Sequence, residues 1–284
     1  MDTLEPIPQP IDSDLKSAPL IQWINPENPP WNSGLAFGLW LLSVFFIMFV
    51  PVIFLFPYLI SSGIMQQGSE RLAEFSVNDP TAIVIQMAAV VPAHLLTILA
   101  AWFVITKFRR YDFREMLGWK SGGIRWFHHL LILIGFFVLA GFVGQFFPET
   151  ENQLIRILKS SRTAVFIVAF MATFTAPLVE EVIYRGVLYS AFQRTFGVPA
   201  AVAAVTLLFS LVHVPQYYES PSTILLLTVL SLILTLMRVF SGNLLPCIIF
   251  HTLINGIQSV GLIAEPYLKE YTEPAATAMS IGLK

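Results

Sequence analysis

The stretch "APLVEEVIYRG", residues 176–186, sets two adjacent glutamates and an arginine between runs of apolar residues. Its meaning depends on what surrounds it. The chain has 284 residues, 56% of them hydrophobic and only 12% charged, against roughly 25% charged in a soluble domain. A bilayer core of about 30 Å is crossed by about 20 apolar residues in a helix. Seven such runs occur, at 35–60, 82–105, 126–147, 163–191, 200–214, 224–237 and 244–264. The expected fold is therefore all-α: a polytopic transmembrane helical bundle with about seven or eight spanning helices. The fifth and sixth runs are short, so these helices tilt, pair closely or extend beyond the apolar stretch.

The organisation reads in four parts. Residues 1–33, "EPIPQPIDSD" and "NPENPPWN" among them, are polar and proline-rich and suggest a flexible tail that stays attached, without the basic start and short apolar run of a cleavable signal. Residues 34–162 hold the first three spanning helices, 163–264 the transmembrane core that carries the charged stretch, and 265–284 a carboxyl-terminal tail. A net charge of −2 gives no basic field for nucleic acid. The single cysteine, Cys247, excludes an internal disulfide and a cysteine-based zinc cluster, and it reads as a small packing residue. Loop 106–125 carries Lys107, Arg109, Arg110, Arg114, Lys120 and Arg125, which by the positive-inside rule places it in the cytoplasm. Alternation then puts the amino-terminal tail and the turn at Arg185–Val198 inside. Loops 61–81 and 148–162, the latter with Arg156, Lys159 and Arg162, fall outside with the carboxyl-terminal tail.

A charge at the centre of a bilayer costs roughly 2.5–3.5 kcal/mol on insertion scales, so it is kept where it is paired or where it acts. Glu181 and Arg185 are four apart with the glutamate first, the favourable order on a helix, and they neutralise one another. Glu180 is rotated by about 100° and has no such local partner. Two further segments carry polar residues at the same spacing: "FSLVH" with Phe209 and His213, and "HTLIN" with His251 and Asn255. With helix ends near Gln193, Pro199 and Asn243, Glu180 and His213 lie roughly 20 Å from the inner ends and His251 roughly 12 Å, so one cavity could hold all three. A carboxylate beside a histidine can take a proton from water. A second imidazole and a carboxamide can donate to the oxyanion formed when water attacks an amide.

"EEVIYR", "FSLVH" and "HTLIN" match, in order, the EExxxR, FxxxH and HxxxN motifs of the CPBP family, which includes the CAAX proteases and bacteriocin-processing enzymes. Residues 163–257 resemble this family, type II CAAX prenyl endopeptidases among its members; the first three segments carry nothing that matches. The resemblance implies an intramembrane glutamic endopeptidase without a cofactor. It implies that Glu180 activates water with His213, that His251 and Asn255 form the oxyanion site, and that Glu181 and Arg185 support the architecture while Phe209 shapes the pocket. The implied partners are the bilayer and a membrane-anchored protein or leader peptide, prenylated CAAX proteins being one class, with no nucleic acid. The expected location is the plasma membrane of a prokaryote.

Three other readings stand beside it. Glu181, His213 and His251 offer three ligands for zinc, the usual number at a catalytic site, although no HExxH run is present. Intramembrane acids and histidines also build proton relays in transporters, and some relatives are self-immunity proteins or scaffolds. The remaining polar residues read as structural. His94 satisfies the carbonyl freed by Pro92 or packs, His128 and His129 lie at the interface, Gly34 and Gly38 hint at helix packing, Arg238 snorkels at a helix end, Asn243 caps the last helix, and Tyr217, Tyr218 and Glu219 rim the site.

Overall fold

The computed structural model describes residues 24–147, 155, 158 and 161–281, with side chains up to Glu265 and at Tyr267. The helices are α1 (Ser33–Ser61), α2 (Ser69–Asn78), α3 (Pro80–Thr106), α4 (Phe113–Leu117), α5 (Trp126–Phe146), α6 (Arg162–Phe196), α7 (Val198–Tyr217), α8 (Pro221–Ser241) and α9 (Leu245–Ile281). Seven are long and apolar enough to cross a membrane, α9 through its part Leu245–Glu265, and no strand occurs among the described residues. The protein is an all-α polytopic bundle, as expected. The short fifth and sixth apolar runs belong to helices of 20 and 21 residues, because polar and proline-led turns continue them at both ends.

Local chemistry sets the helix ends. Asp79 accepts from the Ala82 amide with Pro80 at the first helical position of α3. Asp112 accepts from the amides of Arg114 and Glu115 at the start of α4. That short helix stops at Gly118, whose φ of 75° is a left-handed conformation that glycine adopts freely. The carbonyls it leaves are used: Leu117 and Gly118 accept from the Leu244 amide at the entry to α9.

The axis of the bundle is α6. From Glu181 to Phe192 every residue is buried, as befits a helix enclosed on all sides, with α1, α3, α4, α7 and α8 around it. One core cluster joins this half of α6 to α1, α3, α4 and α7, with Trp31, Trp40, Tyr189 and Phe209 among its members. A second, with Phe136, Leu234 and Phe250, joins α5, α8 and α9. Outward-facing apolar side chains such as Met48, Ile53, Leu131 and Val138 are exposed, which suits a hydrocarbon solvent.

Several expectations require correction. Residues 24–32 are not a free tail. Trp31 is 1% exposed and donates through Nε1 to the Val187 carbonyl. Arg194 bonds Asn28, Pro29 and Trp31, and Gln193 bonds the Glu27 carbonyl. The apolar indole and these donors outweigh the prolines that suggested disorder; residues 1–23 lie outside the described residues. The stretch after 265 continues α9 as helix to Ile281 rather than leaving it at once. Arg238 does not snorkel: it is 1% exposed, donates to the Pro26 carbonyl and lies under the Tyr189 ring. Asn243 does not cap α9; its amide donates to the Ser241 carbonyl across the turn. A Cβ at Gly38 would meet nothing within 4 Å, so no helix packs on that glycine. His129 is buried and bridges the carbonyls of Arg125 and Pro246 rather than sitting at an interface. Arg156 and Lys159 lie outside the described residues.

Candidate active site

Two π-turns interrupt α6, Met171–Thr175 and Val182–Leu188, and the glutamate pair lies at the end of the α-helical turn between them, Ala176–Glu181. Pro177 explains part of this. In π register the Met171 carbonyl accepts from the Ala176 amide, and the Ala172 carbonyl would accept from residue 177, which as proline has no N–H. Asn255 supplies the missing donor, its Nδ2 reaching the Ala172 oxygen at 2.9 Å. One turn away from Asn255 along α9, His251 faces the same helix. The HxxxN spacing thus delivers two donors to one side of α6.

The buried half of the site is densely hydrogen-bonded, Glu181 Oε2 being its one buried side-chain atom without a partner among the described residues. Arg185 and Glu181 are both fully buried and paired at 2.9 Å. The rest of the guanidinium is held by α8, through the Ser231 carbonyl at 2.9 Å, the Ser231 hydroxyl at 2.7 Å and Thr235 at 3.3 Å. Its face lies 4.9 Å from the centre of the Phe209 ring, a cation–π contact that gains from desolvation. Glu181 Oε1 also accepts from His251 Nδ1 at 2.8 Å. That bond orients the imidazole, so its Nε2 points to Glu180 Oε2 at 3.8 Å.

The other half is open. The Glu180 side chain is 25% exposed, against 0% for Glu181. His213 donates from Nδ1 to the Phe209 carbonyl at 2.7 Å. A carbonyl only accepts, so the neutral ring carries its lone pair on Nε2. The Phe209 ring sits between the two imidazoles, 4.7 Å from that of His213 and 6.3 Å from that of His251. Carboxylate, two imidazoles and a carboxamide are the parts needed to deprotonate water and to stabilise an oxyanion.

All seven residues singled out by the motifs fall in this region. Glu181 does more than neutralise Arg185, since it also orients His251. Sequence reasoning missed Ser231 and Thr235, although a polar pair four apart in an apolar segment was a readable sign. It also missed Tyr184, which follows Glu180 by one turn, accepts from Trp40 Nε1 at 3.0 Å and packs against Phe209. His94 does not serve the carbonyl freed by Pro92; it bonds Thr175 of the first π-turn. Tyr218 donates to Glu219 beyond the end of α7. Among the described residues no group of three His, Cys, Asp or Glu side chains is placed to hold a metal ion.

A comparison with known protein families finds a match in the second half of the chain. Residues 162–257 fit the family model described as type II CAAX prenyl endopeptidase Rce1-like. No curated protein and no solved structure matches the chain. The matched span begins at the start of α6 and ends just past Asn255, so it contains every side chain of the carboxylate–imidazole–carboxamide cluster. Over residues 162–257 the chain is similar to the type II CAAX prenyl endopeptidase Rce1-like family.

Proposed function

We propose that the protein hydrolyses peptide bonds of membrane-associated substrates with water activated by Glu180. The observation that carries this reading is the contrast within the glutamate pair. Glu181 is locked by Arg185 and His251, whereas Glu180 is partly exposed, lies 3.8 Å from His251 Nε2 and accepts no protein hydrogen bond among the described residues. An acceptor left open beside an oriented imidazole suits a general base.

In this reading Glu180 takes one proton from water while the water oxygen bonds to the substrate carbonyl carbon. His213 holds the same water through the lone pair on Nε2. The oxyanion accepts from His251 Nε2–H and from the second N–H of the Asn255 amide, the first being held by Ala172. His251 then carries a proton on both nitrogens, with Nδ1–H donated to Glu181. The carbon–nitrogen bond breaks, and the proton on Glu180 passes to the departing amine. Glu181, Arg185 and Phe209 keep these groups in place. The substrate is a prenylated CAAX-type protein, another anchored protein or a leader peptide, and the setting is a prokaryotic plasma membrane.

The test compares membrane proteomes of cells carrying the native protein and the Glu180→Ala variant. Cleavage products present with the native protein and missing with the variant are expected. Identical proteomes would sink the protease and favour a scaffold, an immunity protein or a proton-coupled transporter. A zinc route through Glu181, His213 and His251 is the second choice: Glu181 Oε1 already bonds Arg185 and His251 Nδ1, which leaves only its buried Oε2 for a metal. Cleavage by the purified protein should survive strong chelators; its loss, with recovery on adding zinc, would reverse that choice.

A further inference from the structure

The largest cluster of cations in the chain lies between α3 and α5, and the proposed reaction makes no use of it. Residues 107–125 join the ends of two spanning helices, so they stand at one face of the membrane. They hold Lys107, Arg109, Arg110, Arg114, Lys120 and Arg125 against two acids, Asp112 and Glu115. All six cations are exposed, and among the described residues none forms an ion pair. Asp112 is engaged instead by the amides of Arg114 and Glu115.

The cations stand on a built frame. Past Thr106 the chain turns through Lys107, Phe108 and Arg109 with φ of 43°, 57° and 71°, a left-handed path that side chains disfavour. Thr106 secures the turn: its carbonyl accepts from the Tyr111 amide at 3.0 Å and its hydroxyl from the Arg109 amide at 3.2 Å. The Arg109 guanidinium lies 6.0 Å from the centre of the Trp102 ring, and that of Arg114 lies 5.9 Å from Trp119. Met116 and Leu117 of α4 are buried, and a Cβ on Gly122 would collide with Ser241 at the end of α8. A surface held in this way loses little freedom when something docks on it.

Three aromatic side chains share that face. Phe108, Phe240 and Trp126 are 79%, 77% and 76% exposed, more than any other large apolar side chain among the described residues. Phe108 lies two residues past α3, Trp126 opens α5, and Phe240 stands beside Ser241, on which Gly122 packs. One cation at the end of α3 would answer its dipole, and the positive-inside rule asks for charge alone. Neither asks for a secured turn or for bare aromatic rings. Cations free of carboxylates beside such rings, at the ends of spans, fit the boundary between phosphate headgroups and acyl chains. A guanidinium stacked on a ring keeps its N–H edge for phosphate oxygens. We propose that residues 107–125, with Phe108, Trp126 and Phe240 as apolar anchors, form a docking surface for anionic phospholipid headgroups. Position favours lipid over an acidic protein, because the span ends set the cations in the headgroup plane.

The test reads lipid binding and is independent of the role of Glu180. The full-length protein, purified in a neutral detergent, is mixed with equal amounts of phosphatidylglycerol and phosphatidylcholine of the same acyl chains. Native mass spectrometry then counts the lipids retained. The native protein should keep phosphatidylglycerol in preference. Arg109→Gln combined with Arg110→Gln and Arg114→Gln should cut that preference by about tenfold or more, since each cation near an anionic surface adds its own increment. Phe108→Ser should lower retention of both lipids, and Arg71→Gln, on α2 at the opposite face, should change nothing. Hydrogen exchange on the native protein serves where the triple variant fails to insert. In nanodiscs containing phosphatidylglycerol, amides of residues 107–125 should exchange more slowly than in phosphatidylcholine alone, while those of Ser69–Asn78 keep their rates. Equal retention of the two lipids by the native protein would overturn the proposal. So would a folded triple variant with native preference, unchanged retention in Phe108→Ser, or equal exchange at residues 107–125 in both bilayers.

Discussion

The two halves of α6 meet at the bond between Glu180 and Glu181 and obey different rules. From Glu181 to Phe192 nothing is exposed, and the Arg185 guanidinium and Glu181 Oε1 are bonded on several sides, with Oε2 alone left over. On the other side of that bond the helix packs mainly on α3 and α9, and Phe166, Phe170 and Phe174 are more than half exposed beside a groove of about 600 Å³. Neighbouring residues of one kind thus have opposite environments. A buried ion pair tied to α8 and α9 holds the helices in register, and a partly exposed carboxylate without a protein hydrogen bond is available to react. The lesson is that in an apolar solvent the reactive acid is recognised by which of its neighbours is already satisfied.

The sharpest way to break this comparison is Glu180→Gln. The amide has the same shape and cannot take a proton, so cleavage should fall by about 10⁴-fold, the upper range for a general base. The melting temperature should stay put, because a partly exposed carboxylate with no protein hydrogen bond loses little, within about 0.5 kcal/mol. A large thermal shift in Glu180→Gln would mean that both glutamates belong to the frame.

Arg185→Met attacks the other half. It leaves Glu181 ionised among apolar groups, with Ser231 and Thr235 facing a side chain that cannot donate. Breaking a buried pair in this way costs about 3–5 kcal/mol. The double variant Glu181→Leu with Arg185→Leu should recover part of that loss, since a buried pair and a packed apolar replacement are often of similar stability. Thermal denaturation in detergent reads both. Arg185→Met no less stable than Glu180→Gln would erase the distinction between the two regions.

Asn255→Ala tests the seam between them. The amide closes the carbonyl that Pro177 leaves open at Ala172, and in the proposed reaction its second N–H meets the oxyanion. Loss of one oxyanion donor costs about 100-fold or more in kcat, while the orphaned carbonyl lowers stability by about 1–3 kcal/mol. A fall in stability with unchanged kcat would leave Asn255 as a structural clasp and His251 as the one remaining donor.

These contrasts also explain what the sequence made legible. Spans of about 20 apolar residues and the i, i+4 spacing of Glu181 with Arg185 carry their meaning locally, so the bundle and the pair could be read directly. The bond from His251 to Glu181 crosses between helices, and nothing in either segment states which of two tandem glutamates will face α9. Ser231 and Thr235 were visible as a polar pair but had no stated partner. His94 looked like a repair for Pro92, because local reasoning looks first for a local acceptor; Thr175, 81 positions away, was beyond its reach. The π-turns were equally hidden, since Pro177 announces a disturbance without saying whether the helix kinks or widens.

Residues 24–32 show the same limit from the other direction, and the smallest predicted effect belongs to them. Composition marks "NPENPPWN" as a tail, yet its indole is enclosed by the buried half of α6. If that half is a rigid support, Trp31 should contribute to stability and not to catalysis. Trp31→Phe keeps most of the ring and removes the Nε1–H that meets the Val187 carbonyl, a loss of about 1 kcal/mol. Ser190 already donates to the same oxygen at 3.1 Å, which tempers the cost. A small drop in melting temperature with native kcat and KM is expected. A change in kcat without a change in stability would instead tie the strap to Glu180 through Tyr184, and the boundary between support and reactive surface would have to move four residues along α6.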